Sequence, residues 1–275
     1  MVQEKITKSS PTKTSLSQIL KKVGIFFTVA EASLILKLTK DSTSKILARW
    51  CAQGWLARIK RGLYAKLPLE VESSDKLILE DPWILVNKLY SASYIGGWTA
   101  AEYWGLTEQI FNDICVFSNK YPQIKRENLT RINFIIYPVK EELQFGLQAL
   151  WRHGVKVIIS DPSRTIIDML NDSRAGGGIE HVIDCFRNYV TSEHFNVDLL
   201  IEYAKELNNG AVFKRLGYLS EIILGKDHQL LSLCKSMLTK GKAQLEPTLK
   251  SNKLITKWQL FVPDKFLFER KNDNT

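Results

Sequence analysis

The residues best suited to chemistry form a few clusters. Asp161, Asp168 and Glu180 are carboxylates near the end of a β-rich run, where a nuclease would place metal ligands. No lysine stands at nuclease spacing, and plainer roles fit. Asp161-Pro162 reads as a helix cap followed by proline at the first helical position. Arg164 and Asp168, four residues apart, read as an ion pair along that helix. His181 and Cys185 would share one helix face, but no second Cys/His pair lies near enough to complete a zinc site. Gly176-Gly177-Gly178 lacks the Lys-Ser/Thr of a phosphate-binding loop and reads as a flexible lead-in to a helix. Trp98, Tyr103 and Trp104 read as core, with a partner surface as the alternative. No catalytic residue, metal site or cofactor emerges, and the chain reads as a non-enzyme.

The cations carry the stronger signal. Residues 1–70 contain 13 Lys and Arg against 4 Asp and Glu, whereas residues 71–275 are balanced at 25 of each. The whole excess of +9 therefore sits in the first quarter of the chain. A solubilising tail would account for Lys5, Lys8 and Lys13, but the others lie in a patterned segment, which favours a polyanion partner. On a helix turning about 100° per residue, Lys45, Arg49, Ser42 and Gln53 share one arc. Thr43, Ile46, Leu47, Trp50 and Cys51 share the opposite, apolar one. An ordinary amphipathic surface helix would show the same division. What separates the two readings is context: the basic segment, and a hairpin with Arg58, Lys60 and Arg61 at its tip. Arginine and glutamine read base edges in the major groove, and wing residues meet phosphate or the minor groove. The candidate DNA contacts are Lys40, Ser42, Ser44, Lys45, Arg49, Gln53, Arg58, Lys60 and Arg61.

These residues need elements to hold them. Residues 1–14 read as a disordered basic tail. A helix over 15–23 follows. A second opens on the Thr28/Glu31 capping-box spacing and runs to Leu36. A third begins between Thr39 and Ser42 and runs to about Gln53, with Gly54 as its cap. Trp55–Ile59 and Leu63–Lys66 read as strands about a Lys60-Arg61-Gly62 turn. Three helices and a hairpin predict a winged helix-turn-helix over 15–67. A linker over 68–80 leads to an α+β domain over 81–275, opened by Asp81-Pro82. Strands are expected at 114–117, 131–137 and 155–159, and helices at 99–104 and 162–170. A helical half follows at 179–190, 197–207, 211–224 and 227–240. A last strand at 258–262 would return to the sheet. The fold class is thus α+β: a winged helix-turn-helix, then a larger mixed α/β domain with a helical C-terminal half.

Composition narrows the setting. The chain of 275 residues is long enough for two domains. No apolar run approaches the ~18 residues of a membrane helix, and the polar N-terminus is no secretory signal. Cys51, Cys115, Cys185 and Cys234 are widely spaced, which argues against a disulfide framework and for a reducing cytoplasm.

Three stretches resemble one family. Lys45 through Ala65, ending Gly-Trp-Leu-Ala-Arg-Ile-Lys-Arg-Gly-Leu-Tyr-Ala, is similar to the winged helix of the AbiEi antitoxins of type IV toxin–antitoxin systems. Tyr94-Ile95-Gly96-Gly97-Trp98-Thr99-Ala100-Ala101 with Gly105-Leu106 resembles the first motif of their C-terminal domain. Val157 through Asp168, with Ser160-Asp161-Pro162 and Arg164-Thr165, resembles the second. The resemblance spans most of 15–225. It implies a bacterial or archaeal repressor that binds repeats in the promoter of its own operon. It also implies a nucleotidyltransferase-like toxin as functional partner, which need not be contacted directly, and a role in phage defence. It marks Trp98, Thr99, Arg164, Thr165 and Asp168 as antitoxin-domain motif residues. Two alternatives stand beside it: a nuclease-like enzyme delivered to DNA by the winged helix, and a ligand-sensing transcription factor with no toxin.

Overall fold

The computed structural model describes residues 11–67, 81–129, 131–251 and 253–267. The architecture is mixed α+β, with ten α-helices and three sheets among the described residues. The chain divides into two compact units. The first comprises the described residues up to Leu89 together with 128–133; the second comprises 90–127 and 134 onward. The expected linker 68–80 lies outside the described residues.

In the first unit, α1 (Pro11–Lys22) begins earlier than the expected Ser15. It takes in residues that composition assigns to the tail, with proline at the helix start where its missing N–H costs nothing; the rest of that tail is outside the described residues. After β1 (Phe26–Thr28), α2 (Val29–Leu36) opens on the expected capping box. Glu31 N–H donates to Thr28 Oγ1 at 3.2 Å, and Thr28 N–H donates to Glu31 Oε2 at 2.7 Å. Then α3 (Lys40–Ala52) is capped by Thr39, whose Oγ1 accepts from Ser42 N–H at 3.3 Å. It stops at Gln53, and Gly54 follows at φ 75°, the left-handed position that glycine fills without strain.

The hairpin of β2 (Leu56–Lys60) and β3 (Leu63–Lys66) turns on Arg61-Gly62, so Lys60 ends a strand rather than starting the turn. β1 adds to the other side of β3, Phe27 opposite Tyr64, giving the order β1-β3-β2. Ile19, Phe27, Leu47, Trp50 and Leu56 form a fully buried core. Asp81 caps the next turn as expected, its Oδ1 accepting from Trp83 N–H at 3.1 Å. That turn and α4 (Val86–Leu89) count with the first unit, so the division falls at Leu89 rather than Asp81.

The main sheet has six strands, all in the second unit except residues 128–129 and 132–133. They are β4 (Ser93–Ile95), β5 (Asp113–Ser118), β6 (Lys125–Leu129), β7 (Ile132–Pro138), β8 (Leu147–Arg152) and β9 (Val155–Ser160), in the order β6-β7-β5-β4-β9-β8. β4 pairs antiparallel with β5 and parallel with β9, Ile95 opposite Ile159. β8 and β9 form a hairpin about His153 and Gly154, both at positive φ (48° and 73°), as a twist-matched two-residue turn requires. The helices are α5 (Gly97–Tyr103), α6 (Pro162–Asn171), α7 (Ile179–Thr191), α8 (Val197–Leu207), α9 (Gly210–Leu224) and α10 (Gln229–Ser236). The last is shorter at both ends than the expected 227–240. The terminal strand does not return to the main sheet. Leu260–Val262 (β12) lies between β10 (Ala243–Gln244) and β11 (Lys253–Ile255) in a small sheet of its own. Its partners are too short to show a period in sequence.

Every residue of α6 from Pro162 to Leu170 is buried. Around it Phe186, Leu200, Leu216 and Trp258 build the larger core. Gly217 in α9 lies under Trp258: a Cβ there would stand 2.1 Å from the indole ring. That ring is pinned by its Nε1–H, which donates to Glu221 Oε2 at 2.6 Å. Alanine would gain about 1 kcal/mol of helix propensity, against roughly 1–3 kcal/mol for overpacking. Gly217→Ala is therefore expected to lower stability in urea melts; a rise would mean that the indole moves aside freely.

Candidate nucleic-acid interface

The core of the first unit decides what α3 shows to solvent. Thr43, Leu47 and Trp50 are buried on one face. Lys40, Ser42, Lys45, Arg49 and Gln53 are exposed, as are the small Ala48 and Ala52, while Ser44 is half-buried. On the hairpin Arg58 and Arg61 are exposed and Lys60 is half-buried. Among the described residues, none of Lys40, Lys45, Arg49, Arg58 and Arg61 makes an ion pair or a side-chain hydrogen bond. Elsewhere some surface cations take partners, Arg174 with Asp172, Arg187 with Asp184 and Lys257 with Glu221, while others such as Lys205, Lys235 and Lys253 are exposed with no ion pair among the described residues. Asp41, in the first turn of α3, sits where a helix N-terminus favours an anion. The face thus offers free guanidinium and ammonium groups on a rigid helix, flanked by small side chains that permit close approach to a groove.

The motif residues of the second unit are placed oppositely. Trp98, Thr99, Arg164, Thr165 and Asp168 are all buried. Arg164 Nε donates to Asp168 Oδ1 at 2.9 Å, Arg164 Nη2 donates to Tyr94 Oη at 3.1 Å, and Tyr94 O–H donates to Asp168 Oδ2 at 3.0 Å. The ring closes on three residues from β4 and α6. Asp161 caps α6, its Oδ1 accepting from Arg164 N–H at 2.7 Å and its Oδ2 from Tyr203 O–H at 2.7 Å. Thr165 O–H donates to the Asp161 carbonyl at 2.8 Å. Thr99 Oγ1 accepts from Cys115 N–H at 2.8 Å, and Trp98 Nε1–H donates to the Asp113 carbonyl at 2.7 Å. The expected Arg164–Asp168 pair therefore exists, and it lies wholly in the interior.

The remaining candidates are accounted for by structure. Asp161 and Asp168 have both carboxylate oxygens occupied, and Glu180 pairs with Lys265 on the surface. No group of three or more His, Cys, Asp or Glu suited to a metal occurs among the described residues. His181 links the Gly176 carbonyl (2.6 Å) to Thr107 Oγ1 (2.8 Å). Burial pushes the neighbouring Cys185 thiol up to about 12, and that of Cys234 likewise, so neither is a ready nucleophile. Gly177 and Gly178 take positive φ at the start of α7. Trp98 is core, and Tyr103 is exposed. Sequence pattern missed Tyr94 and Tyr203 as partners of the buried charges, because nothing local marks a tyrosine whose hydroxyl is used so far along the chain.

Neither a family model nor a curated protein matches this chain. Among solved structures it is similar to the crystal structure of the RV2827C protein from Mycobacterium tuberculosis, with a TM-score of 0.56, 14% sequence identity and 92% of each chain covered. At that identity the likeness concerns the fold.

Removing one member of a buried ion pair strands the other, at a typical cost of about 3–5 kcal/mol, whereas replacing both by apolar groups is often nearly neutral. Asp168→Asn is therefore expected to destabilise the protein heavily, and Arg164→Met with Asp168→Leu to recover much of the loss. Chemical denaturation of the single and double variants checks this. Strictly additive losses would show that the two charges do not depend on each other.

Proposed function

We propose that this protein is a sequence-specific DNA-binding repressor whose first unit is a winged helix-turn-helix. We further propose that it serves as the antitoxin of an AbiEi-type, type IV toxin–antitoxin (abortive infection) system. Its ligand would be double-stranded DNA, the promoter repeats of its own operon. Its functional partner would be a nucleotidyltransferase-like toxin, and its setting the cytoplasm.

The observation that carries the reading is the exposed face of α3, where Lys45 and Arg49 stand without counter-ions over a filled core. The element order from Pro11 to Lys66 is helix, strand, helix, helix and two hairpin strands, which suits recognition by the third helix with the hairpin as wing. The antitoxin part rests on the resemblance of the second unit's motifs. Those motif residues are buried, so they serve the reading as frame rather than as a toxin-contacting surface.

On this reading six cations would meet the duplex: Lys40, Lys45, Arg49, Arg58, Lys60 and Arg61. If about half neutralise phosphates, log K falls with log salt at a slope of about −3 per winged helix. Fluorescence anisotropy of the full chain on its upstream DNA at several salt concentrations measures it, and a salt-independent affinity would contradict the proposal. Arg49→Ala and Lys45→Ala are expected to relax base preference by roughly 1–3 kcal/mol at one base pair each. Lys60→Ala and Arg61→Ala should weaken binding evenly across sequences. A panel of single-base operator variants separates the two outcomes, and wing variants that alone change base preference would reverse the assignment. In cells, the Lys45→Ala, Arg49→Ala double variant should lose promoter repression and still protect against the toxin. Loss of both together would show that one surface serves both roles.

A further inference from the structure

In the second unit, a pocket of about 280 Å³ opens between the C-terminal end of α6, α9 and the loop after β10. Asp172, Arg174, Arg215, Glu246 and Thr248 line it. Arg215 is 7% exposed and Glu246 is 3% exposed, so a guanidinium side chain and a carboxyl side chain are almost wholly within the protein at one place.

Each has a structural task that uses only part of it. Arg215 Nε donates to the Gln244 carbonyl at 2.9 Å, and its Nη1 donates to the Leu170 and Asn171 carbonyls at 2.7 and 3.1 Å. This satisfies the last turn of α6, whose carbonyls have no partner within the helix. Glu246 Oε1 accepts from Thr248 N–H at 3.1 Å and from its hydroxyl at 2.8 Å, holding the loop. Among the described residues, Arg215 Nη2 donates to nothing and Glu246 Oε2 accepts nothing. Neither atom is among the sealed, partnerless polar atoms of the interior, so both reach accessible space. No ion pair of 4.0 Å or less joins them. Burial lowers the pKa of the Arg215 guanidinium, with Glu246 and Asp172 acting at a distance against that effect. The other two charges of the pocket cancel each other: Arg174 grips Asp172 with two bonds of 2.9 and 2.7 Å.

What remains is a donor cation and an acceptor anion, facing one small space without touching. An anionic ligand would be repelled by Glu246, a cationic one by Arg215, and an apolar one would leave both charges desolvated and unpaired. The volume falls just below that of sites for drug-sized molecules. We propose that this pocket binds a small zwitterion of the amino-acid class, its carboxylate on Arg215 Nη2 and its ammonium on Glu246 Oε2. The inference does not rest on the DNA-binding reading.

The test is thermal unfolding of the full chain with each common L-amino acid at millimolar concentration. For any that stabilises, the corresponding deaminated acid and decarboxylated amine are then tried. At least one amino acid should raise Tm, and its two half-charged counterparts should not. Glu246→Gln keeps an oxygen for Thr248 and removes the charge. By calorimetry it should weaken that ligand about tenfold, the size of one lost charge-assisted bond. The proposal is overturned if no amino acid shifts Tm, if the acid or the amine alone stabilises equally, or if Glu246→Gln binds as the parent does. The comparison of zwitterion with half-charged ligands needs no variant, and so it decides the matter even if Glu246→Gln folds poorly.

Discussion

A guanidinium without access to water has to be answered from every side, and in the second unit the elements are arranged around that demand. Arg164 is fully buried. β4 answers with Tyr94 and α6 itself with Asp168. The Phe145 ring lies 4.0 Å from the guanidinium carbon, a cation–π contact that gains strength away from solvent. The backbone is shaped to match. Gly146 takes φ 62°, and a Cβ there would stand 3.0 Å from Arg164 Cβ and 2.8 Å from the Tyr203 ring. The Gly146 carbonyl accepts from Asp161 N–H at 2.9 Å, which fixes the start of α6. One nitrogen, Nη1, is left with no acceptor, a penalty of about 1–3 kcal/mol that the other contacts must exceed.

The first unit treats its cations in the reverse way. Trp50 and Leu47 fill the inner face of α3, so Lys45 and Arg49 have nowhere to go but outward. Exposed charges of this kind contribute little to folding. Their arrangement is set by the core behind them.

This contrast also decides what could be read in advance. The helices were legible because a filled inner face imposes a 3.6-residue period: α3 and α7–α9 lie close to where periodicity and caps place them. The cationic arc was legible for the same reason, since 100° per residue is enough to sort exposed from buried. β8 was not. In its Leu-Gln-Ala-Leu-Trp-Arg the alternation is broken by Leu150 and most residues favour helix locally, and it forms a strand by pairing with β9. β4, three residues long and buried throughout, offers no period at all. The spacing of Arg164 and Asp168 revealed a pair but not its depth, and Arg215 and Glu246 look in sequence like any surface charges. Burial of an ionisable group is a property of its neighbours, which a single strand of text does not place.

The sheet order carries a consequence for time. The β8–β9 hairpin closes on two residues and can form within microseconds, as isolated hairpins do. The parallel pairing of β4 with β9, Ile95 beside Ile159, encloses everything between them, so the chain loses that loop's freedom before the contact repays it. Non-local pairings of this kind slow folding. The second unit should therefore acquire its hairpin and its helices early and wait for β4 to dock. Because β4 carries Tyr94, the hydrogen bonds around the buried guanidinium are complete only once that long-range pairing is made.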